Sequence, residues 1–242
     1  MSTRSEAIEL SYAGSPLVIE DGSRFDVLLE ARSKDRDFGK RDRTRFAVMA
    51  SVARQLSDNP SRNPAMETVL DETGLSRGTF YNNFTDMDDA VGTVLSAFFQ
   101  ALWTRRSRPA GAFKQGEDTD AVYEANLWYC RAYETNAGLF AAFTRVASYT
   151  PTILRMREEM NAAWVDRVIS ASSKKRLRPL TDREHLAFQG ALRLMIAMSI
   201  EALRERYVHL DSLLSRSFPD SESMARGLTD IWNETIKRHT AG

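Results

Sequence analysis

Thr73-Gly74-Leu75-Ser76-Arg77-Gly78-Thr79-Phe80-Tyr81-Asn82-Asn83-Phe84 is the stretch on which the reading of this chain turns. Gly74 is the residue type that tolerates the left-handed conformation of a tight helix-to-helix turn, so it ends the helix before it. Ser76 is a strong helix N-cap, which predicts a second helix from Arg77 to about Phe84. Upstream, Asn63-Pro64 reads as an N-cap followed by proline at the first helical position, opening a short helix that runs to about Thr73. Val69, Leu70, Leu75, Phe80 and Phe84 are spaced to lock the two helices at a fixed angle.

Working outward, Phe46, Met49, Val52, Ala53 and Leu56 mark one face of a helix over 44–58, and Asp58 to Pro64 is rich in turn formers. Thr85-Asp86 caps a longer helix with Val91, Val94, Leu95, Phe98 and Leu102 on its inner face. The residues before 43 form an extension. Leu17-Val18-Ile19 followed by Glu20-Asp21-Gly22 predicts a short extended piece and a turn, and Phe25, Leu28 and Leu29 have the spacing of a small amphipathic helix. From Arg32 to Arg45 the chain carries seven basic and three acidic residues, a local net of +4. That segment is either a solvated mixed-charge linker or a basic arm. Beyond a linker over 109–120, helices are expected over 119–136, 137–148, 152–174, 182–209 and 220–239. Breaks fall at Gly138, Thr150-Pro151, near Pro179 and at Phe218-Pro219. No strand alternation occurs, so the fold class is all-α. The expected organisation is an N-terminal extension (1–42), a helix-turn-helix domain (43–90) and a larger helical domain (91–242).

Composition narrows the function classes. The 242 residues balance 33 Lys and Arg against 33 Asp and Glu, so no global field draws the chain to a polyanion, and any such attraction must be local. At 43% hydrophobic and 27% charged, the chain is expected to be globular rather than disordered. A single cysteine, Cys130, leaves no intrachain disulfide and fits a reducing compartment. No signal-peptide run opens the sequence, and Arg193 and Glu201 interrupt the run from Leu186 to Leu203. A cytoplasmic location without a membrane span is therefore expected.

The corner itself has two readings. Any glycine-linked pair of helices in an α protein looks similar. As a DNA-reading head, its second helix would enter a major groove. Arg77 would face guanine O6 and N7, Asn82 or Asn83 would address adenine, and the Thr79 methyl would meet thymine. Gly78 would permit close backbone approach, the Tyr81 hydroxyl suits a phosphate oxygen, and the capping Ser76 is counted with the DNA-binding residues.

Residues 43 to about 103 resemble the N-terminal domain of the TetR family of transcriptional regulators. The stretch Thr73 to Phe84 is similar to that family's pattern of alanine-glycine-valine-serine, a small residue, leucine-tyrosine, two polar residues and phenylalanine. The resemblance implies three DNA-binding helices followed by a larger helical ligand-binding and dimerisation domain. Three positions depart from it. Leu70 stands where a small alanine is usual, Ala65 and Met66 replace phosphate-touching threonines, and Met87 replaces a lysine among acidic neighbours. Asn63 is the nearest polar substitute. Arg41, Arg43 and Arg45 of the basic segment would supply the missing phosphate contacts as an arm. The expected partner is a palindromic double-stranded operator, since a dimer sets two reading helices roughly 34–36 Å apart.

The C-terminal half is less explicit. Ala187, Gly190, Ala191, Leu194, Met195, Met198 and Ala202 give one apolar face, and Leu228, Ile231, Trp232 and Ile236 another. The resemblance implies that these last two long helices pair with a second copy as a homodimer, and burial within one subunit is the rival reading. Trp103, Trp128, Tyr129, Tyr133, Phe143, Trp164 and Phe188 are either core or the lining of a pocket for a small, mostly apolar or aromatic effector. Gln189 and Arg193, in register with His185, form its polar edge or a wetter face. No histidine, cysteine or carboxylate spacing fits a metal or catalytic site, so neither catalysis nor a cofactor is expected. The expected function is a sequence-specific DNA-binding regulator, a repressor released by such an effector. The alternative is a regulator without a small-molecule ligand, controlled by a protein partner through the extension.

Overall fold

In the computed structural model, residues 17–106, 121–173 and 178–240 are described. Among them the chain is wholly helical, with no strand. Contacts divide it into two compact units. The first comprises 17–58 and 62–106, and the second 59–61 together with 121–173 and 178–240.

The first unit contains α1 (Phe25–Lys34), α2 (Lys40–Asp58), α3 (Met66–Thr73), α4 (Arg77–Tyr81) and α5 (Met87–Arg106). Helix α2 is its spine and packs on α1, α3 and α5. It earns that position by an apolar stripe two residues wide: Phe46, Val48, Met49, Val52, Ala53 and Leu56 are all buried. The amphipathic helix expected around Phe25 is α1. Leu17 and Ile19 alternate into the core ahead of it, and Ser23 N–H closes the turn onto Glu20 O at 3.1 Å. The Phe25 ring meets Phe98 of α5 edge-on at 5.3 Å.

The basic segment is not a free arm. Arg32 and Lys34 end α1, residues 35–39 make a turn, and α2 begins at Lys40 rather than Thr44. The segment folds because its one apolar residue, Phe38, is buried against Phe46 at 5.4 Å, with the Arg32 guanidinium over its ring. An extension ending at residue 42 therefore cuts through α2. All of α5 packs with the first unit, so a boundary after residue 90 falls inside one helix.

The second unit contains α6 (Ala121–Thr135), α7 (Ala137–Ala147), α8 (Pro151–Ser173), α9 (Asp182–Tyr207), α10 (Ser212–Ser217) and α11 (Ser221–Thr240). Helix α9 touches all five others, and α11 lies along α6. The break between α6 and α7 falls at Asn136, whose buried amide donates to Ala132 O at 3.1 Å, rather than at Gly138, which continues α7. Short α10 has no counterpart in the sequence reading. It is capped by Asp211, which accepts from Leu214 N–H at 2.8 Å. Gly227 is required by a close approach: a Cβ there would stand 2.7 Å from the Phe218 ring. Thr181 and Glu184 form a reciprocal capping box at the start of α9. Among the described helices α9 alone has the length and mean hydropathy of a membrane span. Its buried face, with Phe188, Leu192, Ile196 and Leu203, is spent inside the unit.

Candidate nucleic-acid interface

The corner at residues 66–84 is built as its sequence demands. Gly74 takes φ +66, ψ 21, a left-handed conformation that relieves the end of α3. Ser76 caps α4 by accepting from Thr79 N–H at 3.2 Å. Val69, Phe80 and Phe84 are buried, with the Phe80 and Phe84 rings 5.7 Å apart, while Leu70 and Leu75 are only half-buried. Asp86 caps α5 by accepting from Asp89 N–H at 2.8 Å, and the Asp89 carboxylate accepts from Thr85 N–H at 2.9 Å.

Two details differ from the sequence reading. Helix α3 begins at Met66 and is flanked by Ala65, whose N–H is held by Gln55 Oε1 at 2.9 Å, so Asn63 and Pro64 are not its cap. Asn63 instead donates to Asp88 Oδ1 at 3.3 Å. Helix α4 is five residues long, and Asn82 to Phe84 leave it as a turn in which Phe84 N–H still bonds Phe80 O at 3.0 Å.

The expected contact residues then sort by where the backbone puts them. Arg77, Gly78, Tyr81 and Asn82 are exposed on and after α4. Ser76 and Thr79 are engaged with each other, hydroxyl to hydroxyl at 3.0 Å. Asn83 turns inward. Its amide donates to Thr79 O at 2.9 Å, its carbonyl Oδ1 is buried without a hydrogen-bond partner, and its backbone oxygen accepts from Arg45 at 2.6 Å. Of the two asparagines, only Asn82 presents its side chain to solvent. Among the basic residues, Arg45 is fixed by that bond and by lying 4.4 Å over the Phe84 ring, and Arg43 donates to Phe38 O at 2.8 Å. Arg36, Lys40 and Arg41 remain exposed.

Sequence reasoning missed Arg54. From α2 it reaches Glu72 of α3 at 2.9 Å and Glu30 of α1 at 3.2 Å, and it lies 3.8 Å from buried Asp26. Arg24 adds a two-pronged pair to Asp26 at 2.9 and 3.0 Å. One guanidinium thus ties the extension helix to the first helix of the corner. The i, i+4 spacing of Asp26 and Glu30 was the available signal, since it places both carboxylates on one face.

No family model, curated protein or solved structure matches this chain. The site must be read from its own chemistry. The charge balance of the corner is adverse to polyanions: residues 62–90 hold Arg62 and Arg77 against Glu67, Asp71, Glu72, Asp86, Asp88 and Asp89, a net of −4.

The residues expected to line a pocket fall in both units. Trp103 belongs to α5 and hence to the first unit. In the second unit, Tyr133 is 1% exposed and stacks on Phe140 at 4.0 Å, with the Tyr129 ring edge-on to both. Trp128 and Phe143 are buried, and Phe188 stacks on His239 at 5.2 Å. Trp164 and Gln189 are half-buried, and Arg193 is exposed. Burial pushes the Cys130 thiol up to about 12, with Glu134 and Glu222 adding to the shift, so it stays protonated at neutral pH. Burial likewise raises Tyr207 to about 12, although its bond with Ser221 opposes the shift. Among the described residues, no three histidine, cysteine or acidic side chains converge as a metal site.

Proposed function

We propose that the first unit reads duplex DNA through α4 and that the chain is a transcriptional regulator. The observation that carries this reading is the left-handed Gly74 turn with its capped second helix. It buries Phe80 and Phe84 on one side and leaves Arg77, Gly78, Tyr81 and Asn82 on the other. Guanine recognition by Arg77 and adenine recognition by Asn82 follow from the donor and acceptor pattern of the major groove. The resemblance to TetR-family regulators supports a helix-turn-helix unit followed by a dimerisation and effector unit.

Pairing of two copies is supported by α9, whose Leu186, Ala187, Gly190, Leu194 and Ala197 are exposed along one side. Leu186 and Leu194 are 70% and 73% accessible, a large apolar stripe for a helix that otherwise packs. Ile231 of α11 is exposed as well, whereas Met195, Leu228 and Trp232 turn into their own subunit, with Trp232 Nε1 donating to Ser199 Oγ at 2.9 Å. In this reading the protein is a cytoplasmic repressor. A small apolar or aromatic effector releases it by favouring the arrangement of heads that does not fit the operator.

The experiment is selection from random duplexes followed by titration of the enriched sequence at several salt concentrations. An enriched palindrome with a steep salt dependence supports the reading. Absence of enrichment, with no retention even at low salt, overturns it. That result would favour a second reading for which the net −4 of the corner speaks, docking of a basic protein surface. Within the described part of the extension, Ile19, Phe25 and Leu29 are committed to the core.

A further inference from the structure

Arg77, the residue best placed to read guanine, is occupied. Its Nη2 lies 2.7 Å from Glu67 Oε1, so the first residue of α4 is paired across the corner with the first turn of α3. Both side chains are well exposed, 61% and 69%, so the pair is held loosely and water and salt compete with it. We propose that Glu67 is a specificity-determining residue, which holds Arg77 off any duplex that does not offer guanine at the facing position. This inference rests on the DNA reading.

The physical argument is one of competing partners. A phosphate could draw Arg77 from Glu67 only by approaching a carboxylate that is then left bare, and the two anions repel. Asp71, four residues on along the same face of α3, adds to the repulsion, whereas Glu72 is already paired with Arg54. Guanine offers two neutral acceptors, O6 and N7, to the guanidinium fork, and the cytosine paired with it presents an N4 amino group that a freed carboxylate accepts. The cost of breaking the pair is thus recovered at a G·C step and not on backbone phosphate. Discrimination arises from rejecting the wrong partner as much as from attracting the right one.

The test compares wild type with Glu67→Gln and Glu67→Asp for binding to the selected duplex and to a scrambled duplex of equal length. Glu67 is exposed, so both variants are expected to fold, and a thermal melt of each verifies this. Glu67→Gln is expected to tighten binding to the scrambled duplex and lower the ratio of selected to scrambled affinity about threefold to fivefold. Glu67→Asp is expected to keep most of the ratio. An unchanged ratio in Glu67→Gln overturns the proposal, as does a loss confined to the selected duplex, which would make Glu67 only a support for Arg77. Wild type failing on every duplex is a separate result, which removes the DNA reading itself.

Discussion

Residues 32–45 and 62–90 belong to the same compact unit and carry opposite charge, +4 and −4. They also use their charges differently. In the basic segment, Arg43 and Arg45 are bound to backbone oxygens and Arg32 covers a ring, which leaves Arg36, Lys40 and Arg41 in solvent. In the acidic segment, Asp86 and Asp89 cap a helix, Glu72 faces Arg54, and Glu67 holds the arginine best placed to read bases. If the first unit binds DNA as proposed, affinity and discrimination fall to different segments. A polyanion would be drawn to the α1–α2 turn, whereas the corner offers no net attraction, and under the proposed function it would supply shape and base contacts.

That contrast can be broken most severely at Phe80. Phe80→Ala empties a fully buried site and is expected to destabilise the first unit by about 3–5 kcal/mol. Hydrogen exchange of the α2 and α5 amides across a urea series would show the loss. A near-neutral result would mean the corner is not held by its aromatic pair. Next comes the joint between the two segments. Arg45→Met removes a charge-assisted bond to Asn83 O and is expected to cost about 2 kcal/mol, read as a lower Tm. Lys40→Gln with Arg41→Gln leaves the fold intact and sharpens the comparison. Binding should weaken equally on selected and scrambled duplexes, and the slope of log affinity against log salt should become shallower by roughly 1.8. A change in sequence preference would instead give the basic segment a reading role. The smallest effect belongs to the turn: Gly74→Ala forces a side chain into the left-handed region at a cost of about 1 kcal/mol, measurable by denaturant midpoint.

Much of this was legible in the sequence. Gly74, Ser76 and the Asp86 cap announce their turns because each has a local backbone requirement that few residues meet. The apolar stripes of α2 and α5 follow from period alone. The basic segment was misjudged because a single apolar residue among ten charges gives no period, yet Phe38 suffices to fold the turn once Phe46 is beneath it. Asn82 and Asn83 are chemically identical in the sequence. Only the end of α4 after Tyr81 decides which one faces solvent. Helix α10 was missed because six residues with a 63% exposed Leu213 bury too little to leave a pattern. On α9 and α11 the apolar faces were visible, but periodicity identifies a face and not the neighbour that covers it, so Met195 and Trp232 were grouped with Leu194 and Ile231.

The edge-on pair of Phe25 and Phe98 joins residues 73 positions apart, and this sets an order of events during synthesis. Helix α1 can fold back on α2 soon after both leave the ribosome, since their contacts are local in sequence. Once α2 has emerged, the outer edge of Phe25 waits for Phe98, for roughly 2 to 8 s at ordinary elongation rates of about 5–20 residues per second. Through that interval a half-built hydrophobic seam is open to solvent and to chaperones. The unit closes only when α5 has emerged, just after the corner it supports has been made.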